Sequence, residues 1–199
     1  MIHVRKARPE DFGAIARLLH LSAAEMYDRF SGGHERALRV LERSLGEPGN
    51  ASSAVAIWLA EIDDRPVAVM AAFPVDEAGV RSRAFLRLAM GSSPPWRWPA
   101  ALYLYWAGGR AAPTPPASAF YVDALATDPD FRRRGAARAL LAEAELEARR
   151  RRLPAVALDT TIENAPARAL YGREGYDEVA YQPPARGLAG FVALVKPLG

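Results

Sequence analysis

One stretch constrains this chain more than any other: Asp123-Ala-Leu-Ala-Thr-Asp-Pro-Asp-Phe-Arg-Arg-Arg-Gly-Ala-Ala-Arg-Ala-Leu-Leu141. It opens as a largely apolar strand, passes a turn around Asp128-Pro129, and becomes an amphipathic helix. Arg132, Arg133 and Arg134 sit at the turn, followed by Gly135, Ala136 and Ala137, which have almost no side chain. A helix N-terminus exposes about four unpaired N–H groups and about half a positive charge. Small residues there let a ligand approach the backbone. The stretch therefore reads as a preformed anion site, best suited to phosphate.

The flanking pattern supplies the sheet around this unit. Ile2 to Ala7 reads as a strand, and Pro9 or Asp11 opens a helix with Ile15, Leu18 and Leu19 on one face. A second helix runs from His34 to Leu45, with Ala37, Val40, Leu41 and Leu45 inward. Strands follow at Ala54–Ile62 and Pro66–Phe73, separated by the turn Asp63-Asp64-Arg65. After the strand Tyr121–Thr127, a helix from Ala136 to about Arg151 carries an apolar stripe of Ala137, Leu140, Leu141, Ala144 and Ala148. Ala155–Asp159 is a buried strand, so the unit from 121 to 159 implies a parallel pair with a right-handed crossover. Asn164 caps a last helix, Gly175 ends it, and Tyr176–Tyr181 and Phe191–Val195 complete the sheet. The predicted order is β-α-α-β-β-β-α-β-α-β-β.

The segment 77–117 interrupts this economy. Val80 to Met90 reads as helical, followed by Pro94-Pro-Trp96-Arg-Trp98-Pro, the aromatic run Leu102-Tyr103-Leu104-Tyr105-Trp106 and a Pro/Ala-rich return. A structureless loop of that length would be unusual, so helices and turns covering one end of the sheet are expected. With 199 residues, a single domain spanning 1–199 is expected.

Composition narrows the function classes. The net charge is only +3, too small to argue for nucleic acid. The run Arg149–Arg152 ends a helix, where cations complement the dipole and Glu145 and Glu147 precede Arg149 and Arg151 by four residues. No cysteine is present, which excludes disulfides, thiolate nucleophiles and cysteine-based metal sites; no metal is expected. The early charges exclude an apolar signal core, and no apolar run reaches the ~18 residues that span a bilayer. A cytoplasmic location without nucleic-acid or membrane partners is the expectation.

Three segments carry a family resemblance. Arg132-x-x-Gly135-x-Ala137 is similar to the acyl-CoA signature of the GNAT N-acetyltransferases, [QR]-x-x-G-x-[GA], and Leu125-Ala-Thr-Asp-Pro129 to the strand end before it. Asn164-Ala-Pro-Ala-Arg-Ala-Leu-Tyr171-Gly-Arg-Glu-Gly175-Tyr176 resembles the family's N-x-x-A-x-x-L-Y-x-x-x-G-[FY] block, and Ile2 to Asp11 its opening strand and helix start. The match covers 1–75 and 118–199, apart from the acceptor region. Arg132 stands where Gln is commoner and Thr127 where Val is. The resemblance implies an α/β (α+β) fold: a mixed, mostly antiparallel sheet with one parallel, splayed strand pair, flanked by helices, with a helical insertion (77–117) between the third and fourth strands.

It also implies roles. The N–H groups of roughly Arg133 to Arg138, helped by the side chains of Arg132, Arg133, Arg134 and Arg138, would hold the pyrophosphate of acetyl-CoA around Gly135, Ala136 and Ala137. Leu125, Ala126 and Thr127 would pair with the pantetheine arm as an added strand. Asn164 would touch that arm or only cap its helix. Tyr171 would donate a proton to the departing thiolate, a phenol of pKa about 10 being close to a thiol; otherwise it is a core aromatic. Asp123 would take the proton of the amine, or pair with an arginine; Glu61 is the second candidate base, His34 and Asp76 are remote ones, and His20 reads as a surface residue. The acceptor, a small-molecule or peptide amine, would enter between the first two helices and the insertion, with Tyr27, Asp28, Trp96 and Trp106 as walls. The aromatic insertion also offers a homodimer surface. Two rival readings are an acyl-CoA-binding regulator without catalysis and an RNA- or ribosome-associated module using the arginine runs.

Overall fold

A computed structural model describes residues 1–111 and 113–199; Ala112, inside the expected insertion, lies outside the described residues. The strands are β1 (Ile2–Lys6), β2 (Ile57–Ile62), β3 (Arg65–Pro74), β4 (Ala119–Thr127), β5 (Ala155–Thr161), β6 (Asp177–Gln182) and β7 (Phe191–Pro197). They form one sheet in the order β1-β2-β3-β4-β5-β7-β6. Only β4 and β5 run parallel. The helices are α1 (Phe12–Ser22), α2 (Ala24–Ser31), α3 (His34–Gly46), α4 (Val75–Gly91), α5 (Trp98–Ala111), α6 (Ala136–Arg150) and α7 (Ala165–Arg173).

The residue alternation of β2 and β3 explains the layering. Trp58, Ala60, Ala68 and Met70 pack on one face against Leu140, Leu141, Ala144 and Ala148 of α6. Ile57, Leu59, Val69 and Ala71 pack on the other against Ile15 and Leu19 of α1 and Leu41 of α3. Both strands read as nearly continuous apolar runs because helices cover both faces. Asp63 and Asp64 both take positive φ (52° and 58°) between β2 and β3. That is the two-residue turn whose twist suits a tight hairpin, and Asp tolerates it better than most side chains.

Several local expectations need correction. Ala54–Ala56 is a 3₁₀ turn, and β2 begins at Ile57. α2 was not foreseen; at eight residues, AEMYDRFS, it is too short for a clear helical period. The insertion is two helices rather than one helix and a run: α4 starts at Val75, directly after Pro74, with Asp76 and Glu77 favouring its first turn. The aromatic run becomes α5. Its Leu104, Ala107 and Ala111 pack with Leu188 against Met26, Phe30 and Phe191. Finally, Ala136 rather than Ala137 holds the core position that opens the α6 stripe, which leaves Ala137 only half-buried.

Candidate functional site

The site begins where two strands part. β4 pairs with β5 only from Ala119↔Ala155 to Val122↔Leu158. Beyond Val122, β5 remains paired with β7 while β4 remains paired with β3. The β4 edge from Asp123 to Thr127 thus has no strand beside it among the described residues. The register against β3 slips at this same place, with Ala71 opposite Ala124 and Ala72 opposite Val122. Asp123 is the extra residue of this bulge, a device that re-aims a side chain.

At the far end of that edge lies the arginine turn. Asp128 caps it by accepting from the N–H of Asp130 at 3.0 Å. Arg133 (φ 62°) and Gly135 (φ 89°) both take left-handed backbone, which turns the chain sharply into α6. Among the described residues, no protein group accepts from the N–H groups of Arg133 to Arg138; the first paired one is Ala139, which donates to the Gly135 carbonyl at 3.0 Å. This is the donor nest expected of a helix start built to hold an anion. A groove of about 380 Å³ runs along it, lined by Leu125, Ala126, Thr127, Arg132, Arg133, Gly135, Ala136, Ala137, Arg138 and Asn164. Arg134 does not line it: its guanidinium sits 4.9 Å from the Phe131 ring centre.

A second cavity, of about 510 Å³, opens on the other side of the β4 edge. Glu25, Tyr27, Tyr121, Asp123, Asp159 and Phe191 are among its walls. Five residues belong to both spaces: Ser22, Leu125, Asn164, Ala167 and Tyr171. The groove and the cavity therefore meet, and Tyr171 stands at the junction.

The electrostatics differ on the two sides. Burial among the cavity walls, and then the charge of Asp159, pushes the Asp123 carboxyl up to about 7. Its surface is nonetheless reached by solvent through the cavity mouth, so the crowding comes from the walls and not from a closed core. Asp159 is likewise raised by burial, against a hydrogen bond that Tyr121 donates to it. Burial, and then Asp159, pushes the Tyr171 phenol up to about 12. Its hydroxyl has no hydrogen-bond partner among the described residues. Asn164 accepts from the N–H of Ala167 at 3.3 Å and donates to Thr160 Oγ1 at 3.1 Å. Capping is thus observed, and one amide proton is left over.

Other candidates fall elsewhere. Glu61 accepts from Arg5 at 2.5 Å, beside the Arg5–Asp11 pair, away from both spaces. The reason is register: Glu61, next to last in β2, lies opposite His3 of the edge strand β1. Asp76 is exposed on α4. His20 is buried, not at the surface. It contacts Asp28, which faces it instead of the cavity. Trp96 is 80% exposed and Trp106 stacks with Arg110 and Arg186, so neither is a wall. Tyr27 is one, and the insertion reaches the cavity through Gly108 of α5. The rim on the helical side is the end of α1 with α2. Asp159 and Tyr121 were missed. The signal for Asp159 was available: it is a carboxylate ending an apolar strand, the same oddity that singled out Asp123.

The acetyltransferase (GNAT) family model matches residues 18–176. Among curated protein sequences none matches the chain significantly. An N-acetyltransferase from Staphylococcus aureus Mu50 shares the fold with a TM-score of 0.75 at 19% identity, covering 97% of this chain and 99% of that one. A protein described as an acetyltransferase shares it at 0.73 and 18% identity, covering 99% and 100%. The NatC complex bound to Gag peptide and CoA matches at 0.59 and 14%, covering 100% and 99%.

Proposed function

Because this chain belongs to the GNAT acetyltransferase family, we propose that it transfers an acetyl group from acetyl-CoA to the amine of a small molecule or peptide by direct attack. The observation that carries this reading is the meeting of the amide-lined groove with an acidic cavity at Tyr171. One space offers unpaired donors to a pyrophosphate, the other offers carboxylates to an ammonium, and a phenol lies between them. That NatC was solved with CoA supports the assignment of the groove.

The thioester supplies an activated acyl carbon. The chain's own residues do the rest. The N–H groups of 133–138 hold the diphosphate, and the open β4 edge at Leu125–Thr127 lies where an extended amide-bearing arm would pair. Asp123, at about 7, is poised between its two protonation states near neutral pH, as a general base should be. It takes the amine's proton, directly or through water, while the amine nitrogen bonds to the acyl carbon. Asp159 beside it draws the substrate in as a cation. β4 N–H groups polarise the carbonyl. The C–S bond breaks and the electron pair leaves on sulfur, towards Tyr171. At about 12 the phenol is a weaker acid than the balanced donor expected from sequence. It stays protonated at neutral pH and acts first as a hydrogen-bond donor to the developing thiolate.

The test is an assay of thiol release from acetyl-CoA across amines, peptides and aminated small molecules, with calorimetry of CoA binding beside it. Turnover with one amine class is the expected result. CoA binding with no turnover on any acceptor would favour a regulator. No heat with millimolar CoA would overturn the assignment of the groove.

A further inference from the structure

Three helices place a ligand set together on the side of the molecule away from α6. His20 comes from the last turn of α1, Asp28 from α2 and His34 from the first residue of α3. His20 Nε2 lies 2.8 Å from Asp28 Oδ1 and 3.4 Å from His34 Nδ1. The three ligand atoms lie within 4.8 Å of one another. The rings of His20 and His34 meet edge to face with centres 4.5 Å apart.

The hydrogen-bond arithmetic of this cluster is incomplete. A neutral His20 can present one proton at Nε2, yet two acceptors, the Asp28 carboxylate and the His34 Nδ1 lone pair, converge on it. If the proton sits on His34 instead, the His20 lone pair faces the Asp28 carboxylate at hydrogen-bond distance with nothing between them. No tautomer of neutral imidazoles gives each of the three atoms its own partner within the protein, although the exposed His34 is also open to water. A divalent cation would, because each of the three atoms offers it a lone pair. At ~2.0–2.1 Å from each ligand, tetrahedral geometry sets neighbouring ligand atoms ~3.3 Å apart. The His20–His34 separation is close to that value at 3.4 Å, the His20–Asp28 pair would open by about 0.5 Å from 2.8 Å, and the Asp28–His34 pair, within 4.8 Å, would close towards it as the exposed His34 side chain turns in.

We propose that His20, Asp28 and His34 form a binding site for a divalent transition-metal ion of the zinc type, with water completing the coordination. Two imidazoles and one carboxylate suit Zn²⁺, Co²⁺ and Ni²⁺ over Mg²⁺ or Ca²⁺, which prefer all-oxygen sites. The absence of cysteine does not bear on such a set. The spacing of the three residues resembles no short metal motif; they converge because Gly32 (φ 85°) and Gly33 (φ 127°) fold α3 back beside α2. The cation ties α1, α2 and α3 at one point. Since α2 carries Glu25 and Tyr27 into the acidic cavity, the ion also fixes that wall.

The experiment uses the full-length, tag-free, metal-stripped protein. Calorimetric titration with ZnCl₂ and visible spectroscopy with CoCl₂ are expected to show one equivalent bound, with the intense absorption of low-coordinate Co²⁺. Hydrogen exchange of amides 24–31 should slow when Zn²⁺ is added. His34→Ala, at an exposed position, should lose at least tenfold in affinity and the exchange effect. Asp28→Asn, which preserves shape, should weaken binding likewise, whereas His3→Ala at the distant β1 should not. No binding at millimolar metal, or binding unchanged in His34→Ala and Asp28→Asn, would overturn the site. Both outcomes are independent of acetyl transfer.

Discussion

At the scale of single residues, the roles proposed for Asp123 and Tyr171 rest on their surroundings. Asp123→Asn is expected to remove an acid limb centred near pH 7 from the kcat/KM profile and to cut turnover about 10²-fold. The same change bears on stability. The carboxyl has a higher proton affinity folded than unfolded, raised from the ordinary 3.8 to about 7. Its contribution to stability is therefore complete at low pH and is lost as pH rises through that window. The variant should be more stable than the parent at pH 8, by about 1 kcal/mol after allowing for solvent at the cavity mouth, as urea melts at pH 5 and pH 8 would show. Tyr171→Phe should slow transfer by about 10²-fold, while CoA affinity measured by calorimetry stays within about threefold, because the phenol is not part of the amide nest. Equal losses in both quantities would make Tyr171 a packing residue only.

Elements matter here through their ends. The left-handed conformation of Gly135 sets the angle at which α6 leaves the turn, and a Cβ there would meet Ile2 Cδ1 at 3.4 Å. Gly135→Ala is expected to cost about 1–2 kcal/mol from the backbone conformation alone and to weaken CoA binding about tenfold, since relaxing that strain shifts the turn that carries the N–H donors. Thermal melting and calorimetry check the two effects separately. The β4 bulge acts in the same way: one extra residue turns Asp123 out of the sheet's alternation. The 3.6-residue stripe of α6 and the spacing Asn164–Tyr171 were legible in the sequence because both depend on neighbours within two helical turns. α2 was not, since a short helix held by packing against its neighbours carries little periodic signal of its own.

At the scale of the whole molecule, the two halves of the site rest on different supports. The amide-lined groove stands on β4 and α6, inside the main core. The acidic cavity leans on α2, α5 and the segment around Leu188, held by the separate cluster of Leu104, Ala107, Ala111 and Leu188. Leu104→Ala should cost about 2–4 kcal/mol as a large-to-small change. It should raise KM for the acceptor several-fold while leaving CoA affinity within about twofold, a split that steady-state kinetics would reveal. If both constants moved together, the supports would not be separate. No helix among the described residues is long and apolar enough to cross a membrane.

The amino-acid order alone determined the strand–turn–helix unit, the anion-ready backbone at 133–138 and the helical face bearing Tyr171, because turn geometry and helical period are properties of residues a few positions apart. The tertiary structure decided what depends on register and on chain reversal. It set Asp159 next to Asp123 where β4 and β5 part, and withdrew Glu61 to an ion pair at the sheet margin. It buried His20 against Asp28 and His34, and turned an aromatic run into a helix bracing the cavity. Distances between segments far apart in sequence come from the packing of whole layers, and no local pattern encodes them.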